Sequence, residues 1–174
     1  MTTFKTALLV LFFVTLIFAN SARPTFAQAP QIRTTVKNGI TTVRMEPLLI
    51  SGEKDNFHSL HVSPSFNYEG QTPTVPEFIT FELQTVVKAR RLNPDLYVVF
   101  VIDGESIFLS SNRWVVKNPV PGRRWVGERL AMRMPLGTFT KLTSSKTASI
   151  QMGATVFEIS DDHKRALMEL TKRM

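Results

Sequence analysis

Three groups of residues have types and spacings suited to chemistry. Asp103 and Glu105 flank Gly104 in YVVFVIDGESIFL, residues 97–109. Two carboxylates so close can divide acid and base roles or hold a divalent cation. A calcium loop of the D-x-[DN]-x-[DN]-G kind needs several more oxygens nearby, and these are missing. Asp-Gly between two apolar runs is instead the signature of a two-residue hairpin turn. That turn fixes the register: Ile102 faces Glu105, Phe100 faces Ile107, and Val98 faces Leu109, which puts five apolar residues on one face. Gly104 then needs a positive φ, and no chemistry is required of the triplet. His58 and His61 form H-x-x-H, a metal-binding spacing on a helix. Their segment reads as extended, and on a strand residues i and i+3 point to opposite faces. No metal site is expected there.

The third group is basic. Arg123, Trp125, Arg129 and Arg133 share one strand parity, opposite Val126, Leu130, Met132 and Met134. Arg113 and Lys117 precede them, and Lys88, Arg90 and Arg91 close an earlier strand. Gathered in space, these would make a positive face able to hold an acidic protein or an anionic envelope polymer. The competing account is a solvated outer face, diluted by Glu128 and other acids. No nucleophile elbow, P-loop, dinucleotide fingerprint or H-E-x-x-H is present. No catalytic residue, cofactor or metal is therefore assigned. There is no cysteine, which excludes thiol catalysis, thiolate-bound zinc, disulfides and lipidation at an N-terminal Cys.

The elements that must position these residues are mostly short strands. TTVKNGITTV carries β-branched runs on both sides of Asn38-Gly39, a hairpin signal. SGEKDN (51–56) is a turn cluster. FHSLHVSPSFNY (57–68) contains Pro64, which predicts an edge strand or a break at that point. In EFITFELQTVVK (77–88), Ile79, Phe81, Leu83 and Val87 alternate with Thr80, Glu82, Gln84 and Lys88, so one face is buried and one wet. ARRLNPD (89–95) is a loop. RWVGERLAMRM (124–134) alternates again. Leu136, Phe139 and Leu142 are spaced for a short helical turn on the core. Residues 150–159 read as two strands bent at Gly153. SDDHKRALMELTKRM predicts a terminal helix over about 160–173. Ser160 caps it, Asp161 and Asp162 suit its positive end, and His163, Leu167, Leu170 and Met174 form its apolar stripe. Glu169 is spaced to pair with Arg165 and Arg173.

Seven or eight strands with turn signals and one terminal helix predict an all-β fold, an antiparallel immunoglobulin-like β-sandwich with a C-terminal helix. The N-terminus stands apart from it. Ala7 to Ala19 is an apolar core of a length that suits a signal peptide, where a membrane span needs about 20 residues. Thr25 and Ala27 precede Gln28 as small residues precede a cleavage site. Residues 1–27 are expected to be a cleaved signal peptide, the alternative being an uncleaved anchor. Residues 28–174 would be one domain, with no later run able to span a bilayer. Loss of Lys5 and Arg23 takes the formal charge from +7 to +5.

Five stretches, VRMEPLLISG (43–52), SFNYEGQTPTVP (65–76), FVIDGE (100–105), GERL (127–130) and QMGATVFEIS (151–160) ahead of the terminal helix, together resemble a functionally uncharacterised group of small exported bacterial proteins. The resemblance covers most of residues 28–174. It implies a bacterial, exported sandwich and brings no activity, ligand or site residue. The sequence thus predicts a secreted or periplasmic, non-enzymatic binding module of the cell envelope, with Arg123, Trp125, Arg129 and Arg133 as its ligand face. Export disfavours nucleic acid as partner. Two alternatives remain. One is partner recognition by β-augmentation at an open edge, with 57–68 as that edge. The other is a hydrolase whose site joins His58 or His61 to a carboxylate and a serine.

Overall fold

Two turns set the frame. Asn38 and Gly39 have φ of 52° and 77°, and Asp103 and Gly104 have φ of 49° and 83°. Positive φ at both central residues is the type I′ turn, whose twist matches that of the strands it joins. Asn, Asp and Gly are the residues that reach this region at low cost. The structure is a computed structural model describing residues 30–87, 97–109, 111–112, 118–119 and 126–174. The expected signal peptide and the loop at 89–95 lie outside the described residues.

The strands are β1 (Ile32–Lys37), β2 (Ile40–Met45), β3 (Leu48–Ser51), β4 (Phe57–Glu69), β5 (Phe78–Val87), β6 (Val98–Ile102), β7 (Glu105–Phe108), β8 (Ser111–Asn112), β9 (Asn118–Pro119), β10 (Val126–Pro135), β11 (Ala148–Met152) and β12 (Thr155–Glu158). Helix α1 (Leu136–Ser144) follows β10, and α2 (Asp161–Thr171) follows β12. All pairs of strands are antiparallel. The larger sheet runs β1-β2-β4-β5-β10-β8, with β3 also on β4 and β9 on β10; the smaller runs β12-β11-β6-β7. The expected seven or eight strands become twelve among the described residues. Three of them, β3 and the two-residue strands β8 and β9, have no counterpart in the strands expected from the sequence.

The sheets share one core. The ring of Phe57 meets Phe157 edge-on at 5.1 Å, and Phe81 meets Phe100 at 5.3 Å, so each contact bridges the two sheets. Such pairs contribute about 0.5–1.5 kcal/mol each beyond their buried area. Phe139 and Leu142 of α1 are fully buried, and Phe139 reaches Phe81 at 6.3 Å. The β6–β7 register pairs Ile102 with Glu105, Phe100 with Ile107, Val101 with Ser106 and Val99 with Phe108, as the two-residue turn requires. The strand ends there, so the expected facing of Val98 by Leu109 does not form as a ladder pair.

The expectation for residues 57–68 is overturned. They form β4, the longest strand, flanked by β5 on one side and by β2 and β3 on the other. Pro64 is tolerated because its neighbour is itself interrupted. The β2 ladder ends at Arg44↔Ser65 and the β3 ladder begins at Leu48↔Val62. A proline lacks only the N–H that would cross to that gap. The Ser63 hydroxyl donates to the Met45 carbonyl at 2.5 Å and closes the interruption.

At the C-terminus, Ser160 caps α2 through its side chain, and His163 completes the box by accepting the Ser160 N–H on Nδ1 at 3.2 Å. His163 was expected only to pack. Glu169 pairs with Lys172, and Arg165 with Asp162, both three residues apart. The four-residue pairs expected of Glu169 do not form. Lys164 is the larger surprise. It is 5% exposed and donates to the carbonyls of Ser145 (2.8 Å) and Lys146 (3.0 Å) just beyond α1. It thereby satisfies the chain leaving one helix from the side of the other.

Candidate functional site

The alternation of β10 sends Leu130, Met132 and Met134 into the core and leaves Arg129 and Arg133 exposed on the outer face of the larger sheet. Register then decides what surrounds them. Arg129 lies opposite Gln84 and Arg133 opposite Thr80 on β5. Continuing across, Thr80 faces Ser65 on β4, and Ser65 faces Arg44 on β2. One cross-strand row therefore reads Arg44, Ser65, Thr80, Arg133. Three strand spacings separate its ends by about 14 Å.

Glu82 stands beside this row. It lies opposite Ser63 and Ala131 and is buried by its neighbours. The Arg44 Nη2 is 3.3 Å from Glu82 Oε2, and the Arg129 Nε is 3.7 Å from Oε1. The Gln84 amide donates to Oε1 at 2.9 Å. Arg133 lies over the Phe78 ring at 4.1 Å, a cation–π contact. Arg33 on β1 pairs with Glu46 at 2.6 Å. A guanidinium carries five N–H donors. Each of Arg44 and Arg129 spends one contact on Glu82 and stays half-exposed. Glu82 thus engages both arginines while each keeps about half of its side chain in solvent.

Of the four residues expected to form the ligand face, Arg129 and Arg133 fall on this surface. Arg123 and Trp125 lie outside the described residues, as do Lys88, Arg90, Arg91, Arg113 and Lys117. Glu128 is corrected. It shares the parity of Val126 and Leu130, faces Thr85, and is buried, so it does not dilute the outer face. Glu82 does that instead. Arg44 and Glu82 were not foreseen as partners, because 38 residues separate them. The available signal was that each sits on the wet parity of an alternating strand.

The two histidines have separate surroundings. His61 lies on the same outer face, opposite Gln84 and Leu49, and burial lowers its pKa. His58 sits at the β4 bulge, 3.9 Å from Glu53. Among the described residues no three His, Cys, Asp or Glu side chains gather as a metal ion requires. Asp103 does more than pivot its hairpin. Its Oδ1 accepts the backbone N–H groups of Lys146 and Thr147, each at 2.9 Å, and the Thr147 N–H bond leads the causes that lower its pKa. Glu105 pairs with Lys141 of α1. The acidic triplet therefore fastens the β6–β7 turn to the end of α1.

No protein-family profile, curated protein or solved structure matches the chain. No described helix is long and apolar enough to cross a membrane.

Proposed function

We propose that the protein is an exported, non-enzymatic binding module of the bacterial cell envelope, secreted or periplasmic after removal of residues 1–27. It holds an acidic protein segment or an anionic envelope polymer on the outer face of its larger sheet. One observation carries this: Arg44, Arg129 and Arg133 converge from β2 and β10 onto a face floored by Ser63 and Ser65, with Glu82 ordering two of them. Spread over about 14 Å, the charges suit a ligand with repeated negative groups better than a single small ion. Two antiparallel sheets over a shared core support an immunoglobulin-like sandwich as the architecture. The run β1-β2-β4-β5 in the larger sheet is a meander, which sets it apart from the usual Greek-key layout.

Chromatography of residues 28–174 on immobilised heparin, as a model polyanion, tests the reading. Retention should fall steeply with salt, because exposed charges are screened within about 10 Å at 0.1 M. Retention should also be lost in a variant combining Arg44→Glu, Arg129→Glu and Arg133→Glu. If that variant, still folded, is retained as strongly as the wild type, the arginine face is not the site. Recognition by β-augmentation remains as the second reading, moved from 57–68 to β1, because β4 is an interior strand and β1 ends the larger sheet.

A further inference from the structure

β1 is an open edge of unusual completeness. It is six residues long, five of them exposed, and among the described residues it pairs with β2 alone. The type I′ turn makes Lys37↔Ile40 a hydrogen-bonded pair. By alternation, the backbones of Arg33, Thr35 and Lys37 address β2, while those of Ile32, Thr34 and Val36 address the open side. Their N–H and C=O groups have no backbone partner among the described residues. Natural edges are usually shortened, covered or interrupted. The edge at β12 is treated so, with the Lys54 ammonium on the Val156 carbonyl at 2.5 Å. No such plug sits on β1 among the described residues, and Val36 within it stands 60% exposed.

We propose that β1 is a dimerisation edge, pairing antiparallel with β1 of a second copy so that Thr34 faces the partner's Thr34. The residues themselves select this register. It sets Ile32 against the partner's Val36, and Val36 against the partner's Ile32, on one face. Arg33 meets the partner's Thr35 on the other face. A slip of two residues one way places Arg33 directly opposite the partner's Lys37, and the other way opposite the partner's Arg33. Like charges directly opposite destabilise a sheet, whereas β-branched pairs stabilise it. The dimer joins two larger sheets into one, and their arginine faces become a continuous surface across the two-fold axis. Dimerisation does not depend on anion binding and goes beyond it.

The chain has no cysteine, so one introduced thiol reads the register directly. Paired Thr34 residues would have Cα atoms about 5.5 Å apart, within disulfide range. Thr34→Cys in residues 28–174 should oxidise to a covalent dimer about tenfold or more faster than Val36→Cys, a position that is also exposed but meets no thiol in this register. Sedimentation equilibrium of the wild-type chain should give a dimer. Thr34→Lys, which opposes two ammonium groups at the axis without touching the β2 ladder, should give a monomer with an unchanged circular dichroism spectrum. The Arg44, Arg129 and Arg133 charge-reversal variant should still dimerise, which separates this proposal from the anion site. A wild-type monomer at all concentrations overturns the proposal, as does a Thr34→Cys rate no greater than that of Val36→Cys.

Discussion

Replacing Lys164 with Met tests the account of how the helices are held. The ammonium makes two charge-assisted bonds, to the carbonyls of Ser145 and Lys146, and an ion pair with Asp161 at 2.8 Å. Asp161 is largely exposed, so water screens that pair and it adds little. The two carbonyl bonds are the larger part, at about 1.5–3 kcal/mol each. Removing the charge also removes its desolvation cost, which returns part of that sum. Met is close to Lys in length, so it fills the same volume and keeps water from replacing the lost donors. A net loss of about 2–3 kcal/mol follows, and for a chain of this size each kcal/mol lowers Tm by about 2–4 °C. Thermal unfolding of residues 28–174 by far-ultraviolet circular dichroism should therefore show Tm reduced by about 4–12 °C. Asp161→Asn should change it little. A Lys164→Met protein as stable as the wild type would refute the capping role. So would an Asp161→Asn variant that loses as much as Lys164→Met.

Other outcomes follow from the same geometry. Gly104→Val should cost about 1–2 kcal/mol or more, seen as a lower urea midpoint. An added Cβ at Gly104 meets nothing within 4 Å, so the cost is the φ of 83° alone. Gly137→Ala in α1 faces equally open space without a positive φ and should be neutral or mildly stabilising. Asp103→Asn should change Tm little, since the amide oxygen still accepts the N–H groups of Lys146 and Thr147; Asp103→Ala should lower it further. For His61 and His163, burial is the leading cause of a pKa below the usual 6.5; at His163 the Asp162 charge and a Leu49 backbone bond oppose it. The unfolded chain therefore takes up protons first as pH falls. Stability should be full above about pH 6.5 and decline beneath it. Urea midpoints at about pH 7.5 and about pH 5.5 measure this, and His61→Gln with His163→Gln should flatten the difference.

What the sequence made legible was local. Asn38-Gly39 and Asp103-Gly104 carry their turn geometry in two residues, and the alternation of 77–88 and 124–134 names the buried face without knowledge of neighbours. What stayed hidden depends on which strands lie side by side. Pro64 reads as a break until the gap between β2 and β3 is seen opposite it. Glu82 reads as a solvated carboxylate until β2 and β10 bring arginines to it from both sides. Glu128 follows the core parity of β10, but an acid at that parity looks like an exception when read alone. Lys164 sits next to the apolar stripe of α2, and only the exit of α1 gives its charge a place to go.

Anions are proposed to bind on the outer face of the larger sheet. The most direct measurement is a titration of isotope-labelled residues 28–174 with poly-glutamate, followed by amide chemical shifts. Shifts should concentrate at Arg44, Ser65, Thr80, Glu82, Arg129 and Arg133 and be reversed by added salt. Shifts confined to the smaller sheet or the helices, or no salt-dependent shifts at these positions, would contradict it.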